Sequence, residues 1–249
     1  YSDIEIKLRD IRLDVVGSKQ AAIEAENRKN DLVMYLAHDL KTPLTSIVSY
    51  VDLLKRDNVS PEERAKYLDI LSHHTENLNL LLDDLIEASQ ISSGNIDIEL
   101  SKISLNIIIG QTVEEFADKL DKSCLLPRIS MPENDVYVMG DGRWLWRILA
   151  NLLNNACKYS APDTDVEISL VAMENKARLS IANTAQNELN IDANELTERF
   201  VRGDSSRHTE GHGLGLSIAR SLTEMQNGTM DISVAGNRFA AILDFDITE

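Results

Sequence analysis

Two apolar stripes separated by a short polar linker constrain this chain more than any other feature. Leu36, Leu40, Leu44, Ile47, Val51 and Leu54 recur at steps of four and three residues, the spacing of one helical face. After Asp57 and Asn58, the run Ser60-Pro61-Glu62-Glu63 offers a capping serine, a proline at the first helical position and a glutamate three residues past the cap. A second helix starts there. Its seam, Leu68, Leu71, Thr75, Leu78, Leu82 and Leu85, repeats the same steps, and the short linker predicts an antiparallel hairpin. Two helices cannot bury both stripes, whereas two hairpins paired into a four-helix bundle can, so the sequence predicts a homodimer.

The pattern changes on either side. Ile4, Leu8, Ile11 and Val15 predict a connector helix over residues 1–29, leading into a hairpin domain over 30–94. Ser92-Ser93-Gly94-Asn95 breaks the helical spacing. Residues 95–249 then read as a second domain: a short strand at Ile96–Leu100, a helix over 105–120, a strand at 136–138 and a helix over 142–158 capped by Asp141. Strands follow at 166–171 and 177–182, then a helix over 213–226 and strands at 230–234 and 239–245. This order implies helices on one face of a mixed sheet, hence an α+β fold with a helical-hairpin domain followed by an α/β sandwich.

Charge narrows the chemistry. Lys and Arg total 25 against 41 for Asp and Glu, a net charge of −16, which repels nucleic acid and also any nucleotide unless local cations or backbone dipoles offset it. Cys124 and Cys157 stand far apart, outside metal-ligand spacing, and read as two buried free thiols. No apolar run reaches the roughly 18 residues of a membrane span.

His38 is the sharpest chemical signal. It lies about 165° around the helix from the mean direction of the first stripe, so it faces water. Asp39 can accept a hydrogen bond from one imidazole nitrogen and leave the other a better nucleophile. Thr42, one turn on, has a hydroxyl able to position a water, and Pro43 crowds the carbonyl of Asp39, which predicts a kink.

A second cluster suits phosphate. The chain lacks the common Gly-x-x-x-x-Gly-Lys-Ser/Thr loop. Instead Asn151, Asn155 and Lys158 share one helical face, and Asn155 offers the oxygen ligand that Mg²⁺ prefers. Gly211-His212-Gly213-Leu214-Gly215-Leu216 is a glycine-rich turn opening a helix, where backbone N–H groups can hold phosphate oxygens. Between them, Arg202, Arg207 and His208 lie in a polar stretch suited to closing over a nucleotide. His208 and His212 flank Glu210 but lack zinc spacing, and read as a solvated loop.

These runs resemble, in order, the boxes of the sensor histidine kinases of bacterial two-component systems. His38-Asp39-Leu40-Lys41-Thr42-Pro43-Leu44 is similar to the H-box, and Asn151 to Tyr159 to the N-box. Phe200-Val201-Arg202-Gly203-Asp204 resembles the F-box, and Gly211 to Leu216 the G2-box. Asn30-Asp31-Leu32 through His38 is similar to the vancomycin-resistance-type sensor kinases. The resemblance implies a transmitter with a GHKL-type ATPase domain that uses ATP and Mg²⁺. His38 is then the phosphoacceptor, Asp39 the assisting base and Thr42 the residue aiding dephosphorylation of the partner, a response-regulator receiver domain whose aspartate takes the phosphoryl group. Asn155 would meet Mg²⁺, while Lys158, with Asn151 and Tyr159 beside it, would meet phosphate. It implies a parent protein anchored in a bacterial membrane upstream of Tyr1, with this region cytoplasmic.

One box departs from the pattern. Where the family has Asp-x-Gly-x-Gly, this chain reads Asn183-Thr184-Ala185-Gln186-Asn187. Asn183 keeps an acceptor for adenine without the charge, and the lost glycines raise the prospect of weakened nucleotide binding. Autophosphorylation at His38 is the leading expectation. A phosphatase-biased transmitter and a non-catalytic nucleotide-binding dimer scaffold are the alternatives.

Overall fold

The computed structural model describes residues 40–56, 58–188, 196 and 213–248. Contacts divide the chain into two units, one ending at Leu81 and one running from Leu82 to Glu249.

The first unit is the hairpin. Helix α1 covers residues 40–54 and continues unbroken through Pro43, while α2 runs Pro61–Ser93. The kink expected at Asp39 lies outside the described residues. The cap forms as the sequence predicts: Glu63 N donates to Ser60 Oγ at 3.1 Å and Ser60 N donates to Glu63 Oε2 at 3.0 Å, satisfying two otherwise unpaired donors. Tyr50 and Tyr67 pack with ring centroids 5.5 Å apart, joining the two helices. Of the expected seam, Leu71, Leu78 and Leu85 are half-buried. Leu44, Val51, Leu68 and Leu82 remain 53%, 37%, 54% and 38% exposed within the single chain.

α2 stops where glycine allows it. Gly94 takes φ +67°, and the bonds Asn95 N to Gln90 O (3.0 Å) and Gly94 N to Ile91 O (3.3 Å) close the last turn. The helix therefore ends near the expected domain edge at Gly94, whereas the division by contacts falls at Leu81. The last turns of α2 pack with the second unit, where Ala88 joins the core.

That unit is a mixed sheet with helices on one face. Strands β2 (Leu125–Ser130), β4 (Thr164–Met173), β5 (Lys176–Thr184), β6 (Thr229–Ala235) and β7 (Arg238–Asp246) are ordered β2-β4-β5-β7-β6, with β2 parallel to β4 and the other pairs antiparallel. β1 (Ser101–Ser104) pairs separately with β3 (Tyr137–Gly140). Helices α3 (Leu105–Glu115), α4 (Ala117–Lys122), α5 (Gly142–Tyr159) and α6 (Gly215–Met225) supply the other layer. The core between the layers includes Ile109, Ile148, Leu153, Ile168, Ile218, Leu222 and Leu243, each essentially buried and each worth about 1.5–3 kcal/mol on the area scale.

Two expectations need correction, and one strand is new. Ile96, Ile98 and Leu100 do not form a strand, since residues 95–100 are irregular and pairing begins at Ser101. Ile96 and Ile98 instead pack part-buried against the core, which explains their apolar alternation. The helix expected over 105–120 breaks at Phe116, whose φ of −86° and ψ of −3° turn the chain so that both Phe116 and Leu120 are buried. Strand β2 was not expected. It carries Pro127, which an edge strand tolerates because its outer side needs no ladder donor.

A buried polar tie sets the two helices that matter most below. Asp141 caps α5 by accepting from Arg143 N at 3.0 Å and also accepts from Glu99 N at 3.1 Å. Its own N–H donates to Gln226 Oε1 at 2.8 Å, just past the end of α6, and Gln226 Nε2 donates back to Leu222 O at 3.0 Å.

Candidate functional site

Three elements of the second unit meet at one corner: the C-terminal half of α5, the segment after β5, and the start of α6. Asn151 is buried, while Asn155, Lys158 and Tyr159 are half-buried on α5. The start of α6 lies against them, because a Cβ built on Gly215 would stand 3.9 Å from Cβ, Cγ and Oδ1 of Asn151. On the other side Gln186 N donates to Tyr159 O at 3.1 Å, Gln186 Nε2 to Ser160 O at 3.2 Å, and Ala161 N to Thr184 O at 2.8 Å. The Asn183–Asn187 segment is thus fastened to the end of α5. Asn183 itself is buried on β5, level with Val166 and Phe239.

This corner holds a shielded donor and a positive helix end. Asn151 Nδ2 is fully shielded and has no hydrogen-bond partner among the described residues, an arrangement that costs about 1–3 kcal/mol unless a ligand accepts. α6 opens after Leu214 without a side-chain cap, and Gly213 before it takes φ +66°. Uncapped N–H groups and the positive helix end favour an anion. Lys158 Nζ sits 5.1 Å from the Tyr159 ring centroid, and Lys119 Nζ donates to Asn154 Oδ1 at 2.5 Å, so two ammonium groups border the same stretch of α5. A phosphate-bearing ligand fits these donors.

The lost glycines have a plain geometric answer. Among the described residues, non-glycine positive φ occurs at Cys124, Asp163 and Asn227, and at neither Ala185 nor Asn187. Ala185 is buried and donates its N–H to Asn237 O at 2.7 Å. At Ala185 and Asn187 the backbone takes no positive φ of the kind that favours glycine.

Of the remaining expected residues, Thr42 is exposed on α1, Leu214 is buried and Leu216 is half-buried. His38, Asp39, Phe200, Arg202, Arg207 and Gly211 lie outside the described residues, as do residues 1–29 and the group His208, Glu210 and His212. Among the described residues no group of three or more His, Cys, Asp or Glu could hold a metal. Cys124 and Cys157 are free, but against expectation Cys124 is exposed and Cys157 only half-buried, enough for burial to push the Cys157 thiol above its ordinary pKa.

Sequence reasoning passed over Arg147, one turn before Asn151. Its Nε donates to Glu87 Oε2 at 2.8 Å and its Nη2 to Asp84 Oδ1 at 2.7 Å, from the last turns of α2. Burial is the main reason the Asp84 carboxyl is pushed up to about 6; Arg147 opposes the rise, and the charges of Glu87 and Asp83 add to it. The available signal was its spacing, four residues before Asn151 on the same helix.

Comparison with known proteins adds to this geometry. Residues 140–247 match the family described as histidine kinase-, DNA gyrase B-, and HSP90-like ATPase, and residues 28–94 match the His Kinase A (phospho-acceptor) domain. The chain is 33% identical over 234 residues to the sensor protein VanSC of Enterococcus gallinarum, covering 93% of this chain and 64% of that protein. It is 33% identical over 231 residues to VanS of Enterococcus faecium, covering 90% and 59%. It thus spans about three fifths of the length of these curated relatives. In fold it is similar to the Acinetobacter baumannii histidine kinase AdeS, with TM-score 0.70 and 21% identity over 85% of this chain and 98% of that one. It is likewise similar to the histidine kinase ThkA, solved in complex with the response regulator protein TrrA, with TM-score 0.72 and 22% identity over 88% and 61%.

Proposed function

Because this chain belongs to the sensor histidine kinases, a phospho-acceptor hairpin followed by an ATPase domain, we propose that it moves the γ-phosphoryl group of ATP to His38 and then to an aspartate of a receiver domain. The observation that carries this reading is the α5–α6 corner, where the orphaned amide of Asn151 lies beside Gly215 and the uncapped start of α6. Phosphate oxygens are acceptors of the kind these donors call for, and the donors' dipoles answer the repulsion of a −16 chain.

Each residue then has a task. A ring nitrogen of His38 attacks the γ-phosphorus as the bond to the bridging oxygen breaks and ADP leaves, while Asp39 holds the imidazole and takes its proton. Lys158 neutralises phosphate charge, Asn183 accepts from the adenine amino group, and Tyr159 packs beside it. Gly211, Gly213, Leu214, Gly215 and Leu216 shape the turn that holds phosphate. Phe200, Arg202 and Arg207 belong to the segment that closes over the nucleotide. Mg²⁺, for which Asn155 supplies an oxygen ligand, would add charge neutralisation between the phosphates. Thr42 positions the water that removes phosphate from the receiver.

The wider assembly follows the same logic. Leu44, Val51, Leu68 and Leu82 lie exposed at seam positions, which supports a homodimer of hairpins; the limits 30–94 and 95–249 are our proposal for the two domains. ThkA, a kinase of the same fold, was solved with a response regulator, and a receiver domain is our partner here. None of the described helices is long and apolar enough to cross a membrane; we place this region on the cytoplasmic side of a bacterial membrane, with the anchor elsewhere in the parent. The phosphatase-biased reading rests on the altered Asn183–Asn187 box; the ordinary φ at Ala185 and Asn187 weakens that support, while the missing charge at Asn183 keeps the reading as the alternative.

The test is incorporation of acid-labile label from γ-labelled ATP with Mg²⁺. Wild type should take up label, and His38→Gln and Asn155→Ala should not. Equal label on His38→Gln would overturn the assignment of the acceptor.

A further inference from the structure

Arg147 stands in line with the proposed nucleotide row but is occupied by protein carboxylates. On α5, Arg147 and Asn151 lie about 40° apart around the axis and about 6 Å along it, so the row Lys158, Asn155, Asn151 continues to Arg147. The adenine end of that row is set by Asn183, whose segment is fastened to Tyr159 and Ser160 at the C-terminal end of α5. From Tyr159 back to Arg147 is about 18 Å of helix. A nucleotide laid along it from Asn183 passes Lys158 and Asn155, meets Asn151 and Gly215, and brings its terminal phosphate toward Arg147.

The guanidinium is now held by two oxygens from two different carboxylates, at 2.7 and 2.8 Å. This is the forked arrangement in which arginine also takes two phosphate oxygens. Side chains of Arg147, Asp84 and Glu87 are only 16%, 21% and 20% exposed, so the exchange would occur in a poorly hydrated place where charge counts. Two carboxylates share one cation in a buried place, and burial above all, with the charges of Glu87 and Asp83 adding to it, pushes the Asp84 carboxyl up to about 6 despite Arg147. The pairing is held at a cost.

We propose that Arg147 is a ligand for the γ-phosphate held in reserve: Asp84 and Glu87 occupy its guanidinium at rest, and bound ATP replaces them. The proposal rests on the nucleotide reading of the α5–α6 corner and deepens it. Replacement would also release the end of α2 from α5. Because α2 is one helix from Pro61 to Ser93, the presence of a γ-phosphate would be reported to the hairpin helix.

The two sides of this ion pair should then behave oppositely, which a merely structural clasp would not do. Affinities for ATP and ADP are measured with Mg²⁺ on wild type, Arg147→Ala, the double variant Asp84→Asn/Glu87→Gln, and all three substitutions together. Neutralising the internal competitor should tighten ATP about tenfold and leave ADP unchanged. Arg147→Ala should weaken ATP about tenfold and leave ADP unchanged, and retained ADP binding also reports that the variant is folded. The triple variant should match Arg147→Ala, since no arginine remains to be released. Shifts of ATP affinity in the same direction on both sides, equal shifts for ADP, or no shift would overturn the proposal while leaving the nucleotide site standing. A wild type that binds neither nucleotide would instead refute the nucleotide reading, and this proposal with it.

Discussion

Asp84→Asn keeps an acceptor for Arg147 Nη2 and removes a charge that the fold holds at a cost. The Asp84 carboxyl is pushed from 3.8 to about 6, chiefly by burial. At about 1.4 kcal/mol per pH unit, the ionised form is therefore less favourable in the native state by about 3 kcal/mol. Between about pH 4 and pH 6 the native protein binds more protons here than the unfolded chain, so this contribution to stability falls as pH rises through that window. Wild type and Asp84→Asn should be nearly equal near pH 4, and the variant more stable by up to about 3 kcal/mol at pH 7. The opposing expectation is that removing one member of a buried pair destabilises by a similar amount. It is weaker here because Glu87 remains on Arg147 at 2.8 Å. The assay is urea unfolding of both proteins at pH 4 and pH 7. Asp244 and Glu167, whose carboxyls Arg178 and Arg238 hold low, lose stabilisation as pH falls, and they cancel in the difference. A variant less stable than wild type at pH 7, or a difference independent of pH, would refute the reasoning.

Other perturbations test other parts. A Cβ on Gly228 would lie 2.7 Å from Phe245 Cε1 and 2.9 Å from Thr223 Cγ2, so Gly228→Ala should cost about 1–3 kcal/mol through overpacking, read as a lowered Tm. Gln226→Leu leaves the buried N–H of Asp141 without its 2.8 Å acceptor and should destabilise by about 1–3 kcal/mol in urea titration. Leu68→Asp, at a seam position 54% exposed in the single chain, should convert the expected dimer to a folded monomer in sedimentation. A dimer that persists would move the interface elsewhere.

What could be read from sequence was local. The Ser60–Glu63 cap, the Gly94 stop and the Asp141 cap each depend on residues a few positions apart, and each forms as expected. What escaped depends on distant partners. β2 is held by β4 across the chain, and Pro127 disguises it. The break at Phe116 serves a core that single-segment periodicity cannot reveal. Arg147 finds Asp84 and Glu87 at separations of 63 and 60 residues, so its spacing to Asn151 was legible but its partners were not. The site divides the same way: the asparagine face of α5 and the glycine turn were legible as motifs, while the shielded, unpartnered state of Asn151 Nδ2 arises only when α6 packs against α5.

That unpartnered amide is the point on which the nucleotide site rests, and nuclear magnetic resonance can watch it directly. In ¹⁵N-labelled protein titrated with Mg²⁺ and ATP, the side-chain amide of Asn151 and the backbone amide of Gly215 should shift together, in proportion to bound nucleotide, as phosphate oxygens accept from them. Saturating ATP that leaves both resonances unmoved would contradict the account.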